Sequence, residues 1–260
     1  IYCEMKTEAE HVWQRQALAA GGAHTLAVTE QGECWAWGDN GNGQLGNGST
    51  TQQTRPIKVA IAGKVVAVAA GFAHSVAVTE QGECWAWGRN DRGQLGTGST
   101  TQQTRPIKVD IAGKVVAVAT RSLHSIAVTE QGECWAWGCN DHGQLGDGST
   151  TQQTRPIKLA IAGKVVAVAA GWYRSFAVTE QGECWAWGHN GHGQLGNGST
   201  TQQSRPIKVD IAGKVVAVAA GGSHSVAVTE QGECWAWGSN DYSQLGNGST
   251  TQQTRPIKVD

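Results

Sequence analysis

Glu33-Cys34-Trp35-Ala36-Trp37-Gly38 recurs without change at Glu83–Gly88, Glu133–Gly138, Glu183–Gly188 and Glu233–Gly238, fifty residues on each time. A fixed period of this length marks an array of like units. Within one copy Cys84 and Ala86 alternate with Trp85 and Trp87, the two-residue period of a strand. Working outward, Val65–Ala70 is apolar throughout and reads as a strand buried on both faces, ended by Gly71. His74–Thr79 alternates as a second strand, and Glu80-Gln81-Gly82 turns the chain into the quoted stretch, Gly82 supplying the positive φ of a tight hairpin. Beyond Gly88 a Gly- and Asn-rich loop leads to a fourth strand, Arg105–Val109, whose Pro106 places it at an outer edge.

Four short antiparallel strands per unit predict an all-β fold, a β-propeller built from five near-identical 50-residue four-stranded repeats over residues 17–260. A solenoid of hairpins is the weaker alternative, because it does not need four strands per repeat. Residues 1–16 form an N-terminal extension outside the repeat. Five of the seven cysteines (Cys34, Cys84, Cys134, Cys184 and Cys234) fall one per unit inside an apolar strand, and read as small buried hydrophobes rather than a disulfide framework.

Charge and hydropathy remove several classes of function. With 20 basic and 21 acidic residues the chain has no general field for nucleic acid, and no apolar run is long enough to span a bilayer. Neither nucleic acid nor membrane is therefore expected as a partner. The chain begins at Ile1 rather than Met, so the lack of a signal peptide excludes nothing.

Gly-x-x-His-Ser, then Val-Thr-x-x-Gly-x-x-x-x-Trp-Gly, then Asn-x-x-Gly-Gln-Leu-Gly-x-Gly, then Arg-Pro resembles the regulator of chromosome condensation repeat. His74-Ser75, Trp87-Gly88, Asn90, Gly93–Gly96 and Pro106 carry the match. The resemblance implies a propeller, usually of seven blades, whereas this chain has five units. A self-contained five-unit ring is expected, the alternatives being part of a larger ring or self-association that completes one. The resemblance also implies a structural role for His24, His74, His124 and His224.

The five units differ from one another in two places. Ala27–Gly38 is the same in every unit, as are Gly48–Gln53 and their equivalents. One variable cluster lies between strands one and two: Gly22-Ala23-His24, Phe72-Ala73-His74, Ser122-Leu123-His124, Trp172-Tyr173-Arg174 and Gly222-Ser223-His224. The other follows strand three and contains Asp39, Arg89, Arg92, Cys139, Asp141, His142, His189, His192, Ser239 and Tyr242. In an up-and-down blade both connections leave by the same end, so variation is confined to one face of the disc, as for binding loops on a fixed scaffold. The expected function is a non-enzymatic module that recognises a protein partner through this face. Trp172, Tyr173 and Arg174 form the anchor, with Phe72, Arg89, Arg92, Arg121, Leu123, Asp141, His142, His189, His192 and Tyr242 around it. The face resembles the one used by secreted propellers that inhibit β-lactamases. Phe176 replaces inward aliphatic residues and is expected in the core.

No catalytic residues and no cofactor are expected. His74 and Ser75 are neighbours on one strand, point to opposite faces, and cannot form a nucleophile–base pair. Cys139, His142, His189 and His192 raise a zinc site, but equivalent loops of adjacent blades are expected roughly 10 Å or more apart. No metal is therefore expected. Two other readings remain. The first is guanine-nucleotide exchange on a small GTPase, which the family resemblance implies but for which the inserted wedge is absent. The second is an engineered or recently amplified scaffold without an evolved ligand.

Overall fold

A computed structural model describes residues 17–259. They form twenty strands in five four-stranded antiparallel sheets, each built from consecutive strands in simple up-and-down order. The first sheet is β1 (Leu18–Ala20), β2 (His24–Val28), β3 (Cys34–Gly38) and β4 (Gln53–Lys58). The second is β5 (Val65–Ala70), β6 (His74–Thr79), β7 (Cys84–Gly88) and β8 (Gln103–Val109). The pattern recurs with the same register to Gln253–Val259. The strands read from the alternating pattern are present, and Pro106 lies on the outermost strand of its blade. Gly82 turns at φ +81 and its N–H closes on the Thr79 carbonyl at 2.8 Å. The first strands of all five blades line one central channel of about 660 Å³.

Blades join through the residues that the repeat keeps constant. Trp87 is fully buried against blade one, and its Nε1–H donates to the Gln44 carbonyl at 2.8 Å. The Ser75 hydroxyl donates to the same carbonyl at 2.8 Å and bonds His24 Nε2 of blade one at 2.9 Å. The tryptophan bond recurs at Trp137, Trp187 and Trp237. Four apolar clusters fill the four spaces between successive blades, each combining a buried Cys, Ala and Leu of one blade with Val, Ala and Trp of the next. The Cys34, Cys84, Cys134 and Cys184 thiols are free and desolvated, pushed up to about 12. Cys139, outside this set, is also buried and free. Cys3 lies outside the described residues.

The fifth junction is not made. Gly46, Gly96, Gly146 and Gly196 sit so tightly under the next blade's Trp that an added Cβ would lie within 3.0 Å of it, whereas Gly246 has no tryptophan within 4 Å. Gly48, Gly98, Gly148 and Gly198 lie under an Arg guanidinium of the following blade, whereas Gly248 meets nothing. Trp37 is half-buried, and Leu18 and Val216 are mostly exposed. The expected closure of five units into their own ring therefore does not occur among the described residues. Blade five does not pack against blade one as the other blades pack on their neighbours, and the blades form an open arc.

The terminal blade shows the same freedom in its loop. Gly43, Gly93, Gly143 and Gly193 have positive φ, and a Cβ there would come 2.7–2.8 Å from a backbone Cα of the next blade. In blade five the position is Ser243, at φ +56.

Candidate functional site

The loop after each third strand begins at an invariant Gly because the chain there crosses the preceding loop at contact distance. Gly88 has φ +101, and a Cβ on it would meet the Ala73 carbonyl at 2.7 Å. The next residue then bonds the middle of the first loop. Asp39, Arg89, Cys139, His189 and Ser239 each donate a backbone N–H to the carbonyl of Ala23, Ala73, Leu123, Tyr173 and Ser223, at 2.8–2.9 Å. The two variable clusters are thus adjacent, and their attachment uses no side chain. Side chains there vary without disturbing the frame.

Each long loop is held by its invariant Asn. Asn90 Nδ2 donates to the carbonyls of Ser99 and Thr101 at 3.0 Å, and its Oδ1 accepts from Leu95 N–H at 3.0 Å. The side chain substitutes for a backbone ladder that a loop cannot have.

Two clefts open on the variable face. The first, of about 440 Å³ at the mouth of the channel, is lined by Phe72, Arg89, Arg121, Leu123, Trp172 and Tyr173 over a floor of Ala20, Gly21, Gly22 and Ala70. The second, of about 360 Å³, spans the loops of blades three to five and is lined by His142, Trp172, Tyr173, Arg174, His189, Gly222 and Ser223. Trp172 and Tyr173 are the wall common to both, their rings edge to face at 6.5 Å, with Trp172 53% exposed. Phe72 is 60% exposed.

His142 stacks obliquely on Tyr173 at 4.8 Å and meets His189 edge-on at 5.0 Å. The loops of blades three and four therefore approach more closely than the expected separation, the His142 ring packing against both Tyr173 and His189. His189 is held below the ordinary imidazole range by burial, then by the neighbouring His142, His192 and Arg174. Cys139 is turned inward, 2% exposed, with its thiol directed at Asp141. Among the described residues no three His, Cys, Asp or Glu side chains are placed to hold a metal.

Arg174 is not an anchor on the surface, as its residue type had led us to expect. It occupies the position that is His in the other four blades and is 1% exposed. Its guanidinium donates to the carbonyls of Gly222 at 2.7 Å, Gly221 at 3.1 Å and His224 at 2.5 Å, and its Nε–H to Ser225 Oγ at 3.3 Å. Burial, with a smaller contribution from the Arg121 charge, lowers it to about 9, so it remains protonated at neutral pH. It joins blade four to blade five.

The remaining expected residues are scattered. Arg92 pairs with Asp141 across blades two and three at 3.4 Å, and Arg89 grips Asp91 through two bonds of 2.7 Å. His192 is exposed, and Tyr242, 90% exposed, lies on blade five away from both clefts. Phe176 is in the core, edge-on to Trp237 at 6.2 Å. Gly21, Gly22, Ser122, Gly222 and Ser223 line the clefts and were missed, being small. The signal was present, since they stand where Phe72, Arg121, Trp172 and Tyr173 stand in other units. Thr120 was also missed: it replaces an Ala, and its buried hydroxyl has no hydrogen-bond partner.

The structure does form a Ser–His contact, between blades rather than within one: His24–Ser75, His74–Ser125 and His124–Ser175, at 2.9–3.0 Å. In each pair the serine proton goes to a Gln carbonyl, so Nε2–H is the donor and the unpartnered Nδ1 is the unprotonated nitrogen. Desolvation lowers these histidines to about 4, 3 and 4. A buried serine that donates to a carbonyl is not activated by its His, and the pair is structural.

The sequence comparisons agree with this architecture. The model of the RCC1-like domain matches residues 4–260. The chain belongs to the RCC1-like domain family. Human WBSCR16 superposes with a TM-score of 0.84 at 27% identity, over 94% of this chain and 66% of that one. Prp20, the yeast RCC1, superposes at 0.58 with 23% identity over 94% and 74% of the two chains. The human E3 ubiquitin-protein ligase HERC2 is 52% identical over 42 residues, 16% of this chain and 1% of its own. The Arabidopsis thaliana ultraviolet-B receptor UVR8 is 39% identical over 59 residues, 23% and 13% of the two chains. The chain thus spans about two thirds of WBSCR16 and a small part of the curated relatives. An open arc fits that proportion.

Proposed function

We propose that this RCC1-like arc binds a protein partner through the face that carries both variable loop clusters, with Trp172 and Tyr173 at its centre. The observation that carries the reading is the wall of exposed Trp172 and half-buried Tyr173 standing between two clefts, on the one face where otherwise identical units differ. Large aromatic rings with few rotatable bonds contribute most to protein interfaces. Blade five holds Gly222-Ser223 in the same frame, so a Trp172→Gly/Tyr173→Ser variant copies a loop the fold already accepts. The test is affinity capture with wild type and variant side by side, folding being confirmed by thermal unfolding. Partners held by the wild type are expected to be lost from the variant. Equal recovery of the same partners by both proteins refutes the assignment, and capture of nothing by either favours a scaffold with no evolved ligand.

The exchange-factor reading is the weaker one. Its support is the fold shared with Prp20, which was studied for its binding to Gsp1p and histones. At 23% identity that likeness concerns architecture, and no unit here departs from the fifty-residue period to supply an inserted wedge.

A further inference from the structure

We propose that the cleft at the channel mouth receives an apolar or aromatic side chain of the partner lying next to a carboxylate, with Arg121 as the residue that pairs with the acid. The inference rests on the protein-binding reading and specifies the chemistry of what is bound.

Four blades build this cleft. Phe72 comes from blade two, Arg121 and Leu123 from blade three, and Trp172 and Tyr173 from blade four, with small residues of blades one and two as the floor. About 440 Å³ accommodates one large side chain with its flanking backbone. The lining contains two guanidinium groups and no carboxylate. Arg89 is already held by Asp91. Arg121 is exposed and makes no ion pair or hydrogen bond among the described residues.

Arg121 also stands where the fold asks for glycine. The equivalent positions are Gly21, Gly71, Gly171 and Gly221. A Cβ at Gly21, Gly71 or Gly221 would lie 2.2–2.4 Å from the ring of the following His, and at Gly171 it would lie 2.9 Å from Arg174. Blade three thus departs from a packing rule kept by the other four. Beside it Thr120 replaces Ala and leaves a buried hydroxyl without a partner. A local rule broken with no compensating contact in the free protein is the mark of a site. The departure puts one unpaired cation at the rim of an aromatic cleft. A carboxylate supplies the bidentate partner that a guanidinium fits, and the rings take the apolar group beside it.

The test uses fluorescence polarisation with three labelled pentapeptides. One has a tryptophan between acidic residues, the second replaces the acids by lysine, and the third replaces the tryptophan by alanine. The acidic tryptophan peptide is expected to bind about tenfold or more tightly than either control, with affinity falling as salt rises. Arg121→Gly restores the residue of the other four blades and is expected to reduce that affinity to the level of the controls, with thermal stability unchanged or raised. Equal binding of the lysine peptide, or affinity unaffected by Arg121→Gly, overturns the proposal. So does tighter binding of a labelled single-stranded oligonucleotide, whose bases and phosphates could use the same groups. The two readings fail separately. If capture is lost in the Trp172→Gly/Tyr173→Ser variant while the peptides do not discriminate, the binding face stands and the acidic-partner assignment falls. If the peptides discriminate through Arg121 while capture is unchanged, the acidic-partner assignment stands and the placing of Trp172 and Tyr173 at the centre of the face falls.

Discussion

Trp37 and Trp87 occupy the same place in the same hexapeptide, and the molecule uses them differently. Trp87 is fully buried, with its indole N–H on a carbonyl of the preceding blade, whereas Trp37 faces the gap of the arc and is half-buried. The contrast extends to Gly246 and Gly248, which lack the neighbours their counterparts have, and it shows that a blade is not a self-sufficient unit. Each sheet has two apolar faces and depends on its neighbours to cover them, so identical residues differ in energy according to their place in the row.

Acid separates sealed from open junctions with the largest effect. His24, His74 and His124 are buried and neutral, lowered to about 4, 3 and 4, against 6.5 in the unfolded chain. The unfolded state therefore takes up protons first. Their contribution is complete above pH 6.5 and is lost as pH falls from there towards 4 and 3, on the order of 3 kcal/mol for each residue. Urea midpoints measured between pH 7 and pH 4 are expected to fall steeply. Arg174→His is expected to keep stability at pH 7 and to make the fourth junction acid-labile as well, whereas Arg174→Ala removes the guanidinium donors from the Gly221 and Gly222 carbonyls of blade five and destabilises at every pH.

Truncating the tryptophans tests the comparison directly. Trp137→Ala is expected to cost about 3–5 kcal/mol through lost burial and the cavity left between blades. Trp37→Ala, the same change in the same sequence, is expected to cost about 1 kcal/mol or less, being already exposed in part. Equal losses in denaturant unfolding would mean that the open face is covered in solution.

Glycine substitutions give a smaller version of the same contrast. Gly148→Ala carries the strain of a residue at φ +87 and also displaces the Arg205 guanidinium, whereas Gly248→Ala, at φ +73, carries the strain alone. The strain is about 1–2 kcal/mol in each, so the excess loss at position 148 measures the junction. The smallest effect is expected at the exposed Lys108–Glu83 pair, 2.7 Å apart. Lys108→Ala should leave stability almost unchanged, with any small loss shrinking further at high salt.

Most of the blade was legible in the sequence. The period, the strand order, the outer position of Pro106 and the core position of Phe176 all come from alternation and turn residues. Closure of the ring was not legible, because Trp37 and Trp87 have identical local sequence and differ only in whether another blade packs against them. Arg174 was misplaced because its residue type suggested an interface, although it stands in a column of histidines that pointed inward. His142 and His189 were placed too far apart because strand spacing says nothing of where a long loop leans. The small residues that shape the clefts carry no chemical signal until the rings beside them are located.

Ser243 has a further consequence, which concerns how such a gene can change. Repeats this similar exchange segments readily by recombination, and near-identity would suggest that any unit could be copied over any other. The loop of the fifth unit is an exception. Carried into an inner position, its serine would bring a Cβ to 2.7–2.8 Å of a neighbouring backbone that only glycine now tolerates. Copying outward is harmless and copying inward is penalised, so exchange among the units has a direction set by sterics.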